Sequence, residues 1–315
     1  MQVQIQGWDK TMTTTVEIFE LIKRLSPHFI EVAAEDAVRM MQAKLNRFED
    51  SLSVARVDDK VVGFMFLSQG RSDHIAELHG GVDPEMWCRG IGGCLFEHTR
   101  SKLSASTQIE QLSAYTFKST PGGPIALERW GFSCVDRVYS SAFELASPPP
   151  DWASARASEV RDTGLKLVDG ETLKTLNSEW EQAWWRLDNS TLDIPSEVKF
   201  EPISFELWRA AAQPPLCQLD HTLFALDERA PIASLRLGPL RHNAMNINFT
   251  NVAPDYRRRG ISTALKLEAL KLAKRLGARE VTTQNHQSNP ILTINQRLGF
   301  IETDVIYEYL YTIPS

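Results

Sequence analysis

The pattern of apolar and polar positions along the chain predicts strands and helices in alternation. Residues 54–64 and 224–234 each alternate with a period of two on both sides of a charged turn, which is typical of two strands joined by a hairpin. Residues 246–252 continue as a predicted strand that ends before Pro254. Residues 261–276 then space their apolar side chains as a helix with one broad apolar face. This order predicts an α/β fold built on a mixed sheet.

The end of the chain carries stronger local signals. A glycine stops the preceding helix, and residues 280–283 form a short predicted strand. Asn289 and Pro290 are favourable residues for a helix N-cap and the first helical position, and Gly299 suits the left-handed residue that ends a helix. We therefore predict a short helix from about Pro290 to Leu298.

Three sequence blocks recur in the same order along the chain. VDPEMWCRGIGGCL aligns with VAPDYRRRGISTAL without a gap at an offset of 170 residues, and the hairpin blocks share this offset. ALERWGF matches INQRLGF at an offset of 168 residues. A repeat of this length indicates two copies of one domain. The matched pairs are 82–95 with 252–265, 54–64 with 224–234, and 126–132 with 294–300.

The stretch between the two copies differs in composition from both. Residues 144–162 contain three consecutive prolines and many small polar residues, which predicts a stiff connector with little core. We accordingly expect an N-terminal domain over residues 1–148, a linker over 149–163 and a C-terminal domain over 164–315.

Composition narrows the class of protein. The hydrophobic fraction of 43% and the charged fraction of 23% are typical of a soluble globular protein, and no apolar run is long enough to cross a bilayer. The first residues do not resemble a secretory signal, so we expect a cytoplasmic protein with no membrane partner. The four cysteines lack metal-site spacing, so we expect no metal. A net charge of −6 argues against a nucleic-acid partner.

Charge is nevertheless concentrated in the sequence YRRRGISTAL of the second copy. A strand, a tight turn and a helix that begins near Gly260 leave several backbone N–H groups pointing outward, and such groups bind anionic oxygens. Glycine allows a ligand to approach the backbone closely. Arg257, Arg258 and Arg259 add positive charge, and arginine can bind phosphate with two parallel hydrogen bonds. A solvated helix start is the alternative interpretation of this loop.

Two stretches of the second copy carry a family resemblance. VAPDYRRRGISTAL resembles the acyl-CoA pyrophosphate loop of the GCN5-related N-acetyltransferase (GNAT) family, whose pattern is Gln or Arg, two residues, Gly, one residue, then Gly or Ala. Arg257, Gly260 and Ser262 occupy the pattern positions, and serine is a slight departure. TQNHQSNPILTINQRLGF resembles a later block, in which Asn285 and Asn289 would orient the pantetheine arm. With the repeat, the resemblance implies two tandem GNAT-like domains, each a mixed, mostly antiparallel sheet flanked by helices.

The resemblance also implies an activity. Acetyl-CoA would be the acyl-donor substrate, and its acetyl group would pass directly from the thioester to the amine of a small molecule. A backbone N–H group near the end of the strand would stabilise the tetrahedral oxyanion. By position in the family motifs, the cofactor-binding residues are Val252, Arg257, Arg258, Arg259, Gly260, Ile261, Ser262, Thr263, Asn285 and Asn289.

Candidates for catalysis are few. A protonated amine must lose a proton before it attacks, so the reaction needs a base, directly or through water. His286 follows Asn285 and titrates in the useful range, and a surface histidine is the alternative interpretation. Tyr307 and Glu308 of the last strand are further candidates. The family often protonates the leaving thiolate with a tyrosine, but this chain has Asn295 at that position.

The first copy departs further from the family pattern. Trp87 replaces Arg257, only Arg89 remains of the three arginines, and the later asparagines are missing. We expect this domain to bind acyl-CoA weakly or not at all, and two working sites are the alternative. Glu77 and His79 would be reasonable bases if this copy were active, and otherwise they belong to a solvated strand face.

The first helices of the second copy lie where the family builds acceptor pockets. Trp180, Trp184 and Trp185 with Asp188 and Asp193 could hold a cationic amine by aromatic faces and carboxylates. The helical spacing of two of these tryptophans favours a core position instead.

Three functions are compatible with these residues. The leading hypothesis is an acyl-CoA-dependent N-acetyltransferase. A non-catalytic acyl-CoA-binding or sensing protein is the second, since the base and the tyrosine acid are not obvious. A transferase that uses charged tRNA is the third, and the acidic net charge argues against it.

Overall fold

The computed structural model contains two compact units, and each is built on its own six-stranded array. Unit 1 comprises Met1–Asp136 with Ile306–Ser315, and unit 2 comprises Arg137–Val305. The residues that the structure describes are 3–25, 41–42, 45–70, 72–103, 108–120, 122–193, 202–212 and 217–314.

Unit 1 has the strand order β1-β2-β3-β4-β5-β12. All neighbouring pairs are antiparallel except β4 with β5, which are parallel. Its elements are β1 (Gln4–Gly7), α1 (Met12–Leu25), β2 (Ser53–Val57), β3 (Lys60–Gln69), β4 (Ile75–Val82), α2 (Ile91–Ser101), β5 (Gln111–Phe117), α3 (Gly122–Arg129), the start of β6 (Ser133–Glu144) and most of β12 (Ile301–Thr312).

Unit 2 repeats this plan with the order β6-β11-β10-β9-β8-β7, in which only β10 and β11 are parallel among the register pairs described. The sequence-based prediction of a mixed, mostly antiparallel sheet flanked by helices is therefore confirmed. Its further elements are α4 (Asp151–Asp162), β7 (Lys166–Asp169), α5 (Gly170–Leu176), α6 (Trp180–Asn189), α7 (Phe205–Ala211), β8 (Thr222–Asp227), β9 (Ala230–Leu237), β10 (Ala244–Val252), α8 (Ile261–Arg275), β11 (Glu280–His286) and α9 (Pro290–Leu298).

The local signals near the end of the chain are realised as predicted. The side chain of Asn289 caps α9 by accepting a hydrogen bond from the N–H of Ile291 at 3.0 Å. Gly299 ends this helix with a φ of 102°. Helix α8 begins at Ile261 and buries its apolar face against the sheet, as its 3.6-residue spacing indicated.

The compact units do not follow the contiguous domains expected from the repeat. Residues 138–144 of β6 pair with β11, and residues 306–312 of β12 pair with β5. The last strand of the first copy, β6, thus completes the array of the second copy, and the last strand of the second copy, β12, completes the array of the first. This exchange follows from backbone pairing between residues distant in sequence, which no local pattern reports.

The segment predicted as a core-poor linker over residues 149–163 is instead mostly helix α4. Ala153, Ala157 and Val160 recur at helical spacing and lie buried in the core that also contains residues of α8. Small apolar residues at this spacing allow two helices to pack closely. In the sequence these alanines resemble the small residues of a linker, which conceals their helical spacing.

Two cores cover the two faces of the sheet in unit 2. Leu223 and Ala225 of β8 pack with α4 and α8, whereas Phe224 and Leu226 point the other way. The second face packs against Trp184 and other residues of α5, α6 and α7. None of the helices within the described residues is long and apolar enough to cross a membrane.

Lys266 is a buried amine in the first of these cores. It is 1% exposed, and its Nζ lies 5.9 Å from the centre of the Phe300 ring. Burial lowers the pKa of Lys266 from 10.5 to about 7. The unfolded chain therefore binds more protons than the folded chain between these two pH values, so the free energy of unfolding rises with pH across this window.

We expect Lys266→Met to raise the free energy of unfolding, by more at pH 7 than at the upper end of the window. The pH-dependent part amounts to at most about 1.4 kcal/mol per pH unit. Urea unfolding of both proteins across the window would measure it. Identical pH slopes for the two proteins would contradict the assignment of a depressed lysine pKa.

Candidate active site

The loop between β10 and α8 has a backbone conformation that suits anion binding. A short 3₁₀ turn follows the strand, Arg257 is extended, and Arg258 and Gly260 have φ values of 62° and 85°. The first N–H groups of α8, from Ile261 to Thr263, then lie beyond the reach of intrahelical acceptors. Left-handed residues beside a helix start form a concave set of donors. The loop can therefore hold a diphosphate against the positive end of the helix dipole.

Arg257 fixes the base of this loop. Its Nε donates to the carbonyl oxygen of Val252 at 3.0 Å, and its Nη2 donates to Asp193 Oδ1 at 2.6 Å. This two-pronged pair raises the pKa of Arg257 and lowers the pKa of Asp193. The side chain that the sequence assigned to a ligand thus also ties the end of β10 to the chain that follows α6.

The other two loop arginines differ in how they are held. Arg259 donates to the carbonyl oxygen of Asp255 at 2.7 Å and stacks over the ring of Tyr256 at 5.0 Å. The phenol of Tyr256 donates to Asp227, and this hydrogen bond raises the pKa of Tyr256. Arg258 is exposed on the loop surface. Together these residues keep the positive charge at the helix start.

The parallel strands beside the loop part at their ends. Pairing of β10 with β11 runs from Ala244 with Glu280 to Ile247 with Thr283, and both strands continue beyond it. The pairing of β10 with β9 also shifts register after Ile247, which indicates a bulge. The parted ends form a V-shaped opening that begins directly before the loop.

Asn285 lies on the β11 side of this opening. Its Oδ1 accepts a hydrogen bond from Asn295 Nδ2 at 2.6 Å. Asn295 is completely buried on α9, and its own Oδ1 has no hydrogen-bond partner among the described residues. The asparagine at the expected tyrosine position therefore orients Asn285. Asn289 serves the helix cap already described.

His286 follows Asn285 at the end of β11, whereas Tyr307 lies on a strand of unit 1. His286 is half-buried at the end of β11. Tyr307 pairs in register with Thr116 of unit 1, because β12 completes that array. Tyr307 therefore stays a catalytic candidate on a strand that belongs to unit 1. Glu308 follows it into unit 1, where it accepts a hydrogen bond from the Tyr115 hydroxyl at 3.2 Å.

Tyr139 occupies the corresponding position in unit 2. It pairs in register with Asn285, through the part of β6 that completes this array. Tyr139 was not among the residues predicted from the sequence, although the 168-residue offset of the last matched block aligns it with Tyr307. The strand exchange changes which copy of the repeat supplies each of these tyrosines to a unit.

The proposed acceptor carboxylates are already paired. Asp188 accepts from Trp208 Nε1 at 2.7 Å, from Asn251 Nδ2 at 3.0 Å and from Arg236. Asp193 pairs with Arg257 as described, so neither carboxylate is arranged to hold a cationic amine. Residues 194–197, which follow these two carboxylates in the sequence, lie outside the described residues.

Among the tryptophans of the same stretch, Trp184 lies in the core, and Trp180 and Trp185 are partly buried against it. Trp184 is completely buried, as the helical spacing favoured, and it packs edge-on against Trp208 and Phe224. Trp180 stacks at 6.4 Å from Trp184, and Trp185 donates its Nε1 to the carbonyl oxygen of Ile203 at 2.9 Å. These rings form part of the core on this face of the sheet in unit 2.

Arg236 is a site residue that sequence reasoning missed. Its guanidinium carbon lies 4.8 Å from the centre of the Trp184 ring and 4.9 Å from that of Phe249 on β10. It also pairs with Asp188. This half-buried arginine contacts two aromatic rings and so links β9 to α6 and β10. Its signal in the sequence is one charge within the apolar run of β9.

Unit 1 repeats the loop backbone of unit 2. Cys88 has a φ of 60° and Gly90 a φ of 79°, close to the values in the second loop. Trp87 donates its Nε1 to the carbonyl oxygen of Val82 at 2.7 Å, which is the hydrogen bond that Arg257 makes to Val252. Tryptophan therefore preserves the loop conformation while it removes a positive charge.

The first copy also keeps a polar cluster on β4. Ser68 Oγ lies 2.9 Å from His79 Nε2, and Glu77 Oε1 lies 3.3 Å from the same nitrogen. The His79 ring stacks on Phe66 at 4.8 Å. Ser68 is buried and the other two side chains are half-buried, so the expected solvated strand face is an incomplete description of this cluster.

The comparisons with known proteins agree with this geometry. Residues 180–300 match the model of the Acetyltransferase (GNAT) family. A GCN5-related N-acetyltransferase from Sphaerobacter thermophilus is 17% identical, with a TM-score of 0.71 over 99% of this chain and 96% of its own. A tandem GNAT protein from the clavulanic acid biosynthesis pathway is 18% identical, with a TM-score of 0.67 over the whole of both chains.

A third solved structure is a GCN5-related glucosamine N-acetyltransferase region of a fungal multi-domain β-N-acetylglucosaminidase. It is 13% identical, with a TM-score of 0.68 over 98% of this chain and 38% of its own. The comparison with curated protein sequences found no match. Residues 180–300 thus match the model of the GNAT acetyltransferase family, and the chain as a whole shares the fold of solved GNAT proteins, one of which is a tandem GNAT protein.

Proposed function

We propose that the protein is an acyl-CoA-dependent N-acetyltransferase that transfers an acetyl group to the amine of a small molecule. The observation that carries this proposal is the loop from Arg257 to Thr263, whose left-handed residues, helix start and arginines lie beside the parted ends of β10 and β11. The glucosamine acetyltransferase with the same fold acts on a small amine, which is compatible with the proposal.

In this proposal the loop binds the pyrophosphate of acetyl-CoA. The N–H groups of Ile261, Ser262 and Thr263 donate to the phosphate oxygens, and Arg258 and Arg259 add charge. Arg257 contributes mainly by holding the carbonyl of Val252. The pantetheine arm enters the V-shaped opening, where amide groups of the strand ends and Asn285 can bond it.

The chemistry requires a proton acceptor and an oxyanion donor. His286 takes a proton from the attacking amine, directly or through water, and a backbone N–H near Val252 stabilises the tetrahedral oxyanion. The C–N bond forms, the C–S bond breaks, and the CoA thiolate takes up a proton. Tyr139 lies in register with Asn285 on the neighbouring strand, so we assign it as the candidate proton donor.

A thiol-release assay tests this function. The wild-type chain is incubated with acetyl-CoA and a panel of small amines, including amino sugars, and free CoA thiol is measured. We expect release above background with at least one amine and about a hundredfold lower release for His286→Ala. Acetyl-CoA binding without release for any amine would instead favour a non-catalytic sensing protein.

A further inference from the structure

Arg156 of α4 lies directly over Gly260 at the start of α8. A Cβ atom built on Gly260 would stand 2.3 Å from Cδ, 2.5 Å from Cγ and 3.2 Å from Nε of Arg156. The aliphatic part of the arginine therefore covers the α-carbon of this glycine. Its guanidinium group stands beside the first turn of α8, where the proposed pyrophosphate site lies.

The packing of α4 places this arginine. Ala153, Ala157 and Val160 bury one face of α4 in the core shared with α8. Arg161 anchors another face, because its Nη2 donates to Glu268 Oε1 of α8 at 2.6 Å. The backbone at Arg156 is thus held next to the loop by contacts that do not involve its own side chain.

The guanidinium group of Arg156 is held only loosely. Its Nη1 donates to Glu159 Oε2 at 2.6 Å, within the same helix. The two side chains are 50% and 61% exposed, and an exposed pair of this kind contributes little. Arg257, by contrast, is bound by both a carboxylate and a backbone carbonyl. An anionic ligand can therefore recruit Arg156 at lower cost than Arg257.

We propose that Arg156 is a further cofactor-binding residue, which exchanges Glu159 for the pyrophosphate of acyl-CoA at the start of α8. This inference rests on the proposed function. Unit 1 provides an internal comparison, because a Cβ atom built on Gly90 would meet no described atom within 4 Å. The second loop thus has a cation that α4 contributes. This cation compensates for Arg257, because Asp193 neutralises the charge of Arg257.

Isothermal titration with acetyl-CoA and with 3′-dephospho-CoA tests the assignment. We expect Arg156→Ala to raise the Kd of both ligands by about tenfold, because it removes a charge-assisted contact to the pyrophosphate that they share. The matched control is Arg275→Ala, an exposed arginine in the last turn of α8, which should leave both Kd values within about twofold of wild type. Circular dichroism and the Tm of each variant show that folding is retained.

The outcomes separate this inference from the proposed function. If the wild-type chain does not bind acetyl-CoA, the proposed function fails. If the wild-type chain binds acetyl-CoA and Arg156→Ala binds it equally well or more tightly, Arg156 does not contribute to binding. This result overturns the present inference and leaves the proposed function in place. Loss of affinity for acetyl-CoA but not for the dephospho form would place Arg156 at the 3′-phosphate and also overturn it.

Discussion

Replacing Gly260 by glutamate is expected to weaken acetyl-CoA binding by at least about 100-fold. The left-handed φ of 85° disfavours any side chain, and the new Cβ atom would collide with Arg156. The added carboxylate would face the N–H groups of α8 and would repel the pyrophosphate. Isothermal titration of the purified variant measures the change in Kd.

Two further variants control for this result. Arg258→Glu reverses a charge on the same loop without adding a Cβ atom, and we expect at least about a tenfold increase in Kd. Gly90→Glu places the same change in the first loop, where φ is 79° and the space around the glycine is open. We expect Gly90→Glu to leave acetyl-CoA binding at the second loop unchanged. Loss of binding in Gly90→Glu with retention in Gly260→Glu would reverse the assignment of the working copy.

Replacing Asp188 by alanine is expected to lower the free energy of unfolding by about 3–5 kcal/mol. The carboxylate is 8% exposed at the residue level and accepts hydrogen bonds from Trp208, Asn251 and Arg236. Its removal leaves the Arg236 guanidinium without its counter-charge between two aromatic rings. Chemical denaturation measured by tryptophan fluorescence gives the change in stability.

A double substitution shows whether the loss of stability comes from the Arg236 charge that is left without its partner. We expect Asp188→Leu combined with Arg236→Met to be more stable than Asp188→Ala alone, because neither charge is then left without its partner. If the double variant is as unstable as the sum of its single variants, the two side chains do not act as a pair. An Asp188→Ala protein of wild-type stability would contradict the network itself.

Some features of the fold could be predicted because their causes are local. Asn289, Pro290 and Gly299 specify the ends of α9 through capping and backbone conformation alone. Helix α8 follows from its apolar spacing, and Gly260 lies where the left-handed loop residue is required. The candidate phosphate loop was therefore visible in the sequence at the level of its backbone.

Other features depend on partners far away in the chain. The exchange of β6 and β12 arises from strand pairing across more than a hundred residues, and it assigns Tyr307 to unit 1 and Asn285 to unit 2. Arg156 reaches Gly260 only because α4 packs on α8. Trp87 makes the hydrogen bond to its strand end that Arg257 makes in the second copy, whereas the alignment showed only a replaced arginine. Charge and motif patterns do not report such contacts.

The location of the acyl-CoA site is the central claim, and hydrogen-exchange mass spectrometry tests it most directly. The wild-type chain is compared with and without saturating acetyl-CoA. We predict slower amide exchange in peptides that cover residues 252–265 and 283–290, with unchanged exchange in peptides that cover 82–95. Protection confined to residues 82–95, or no protection in either loop, would contradict the account.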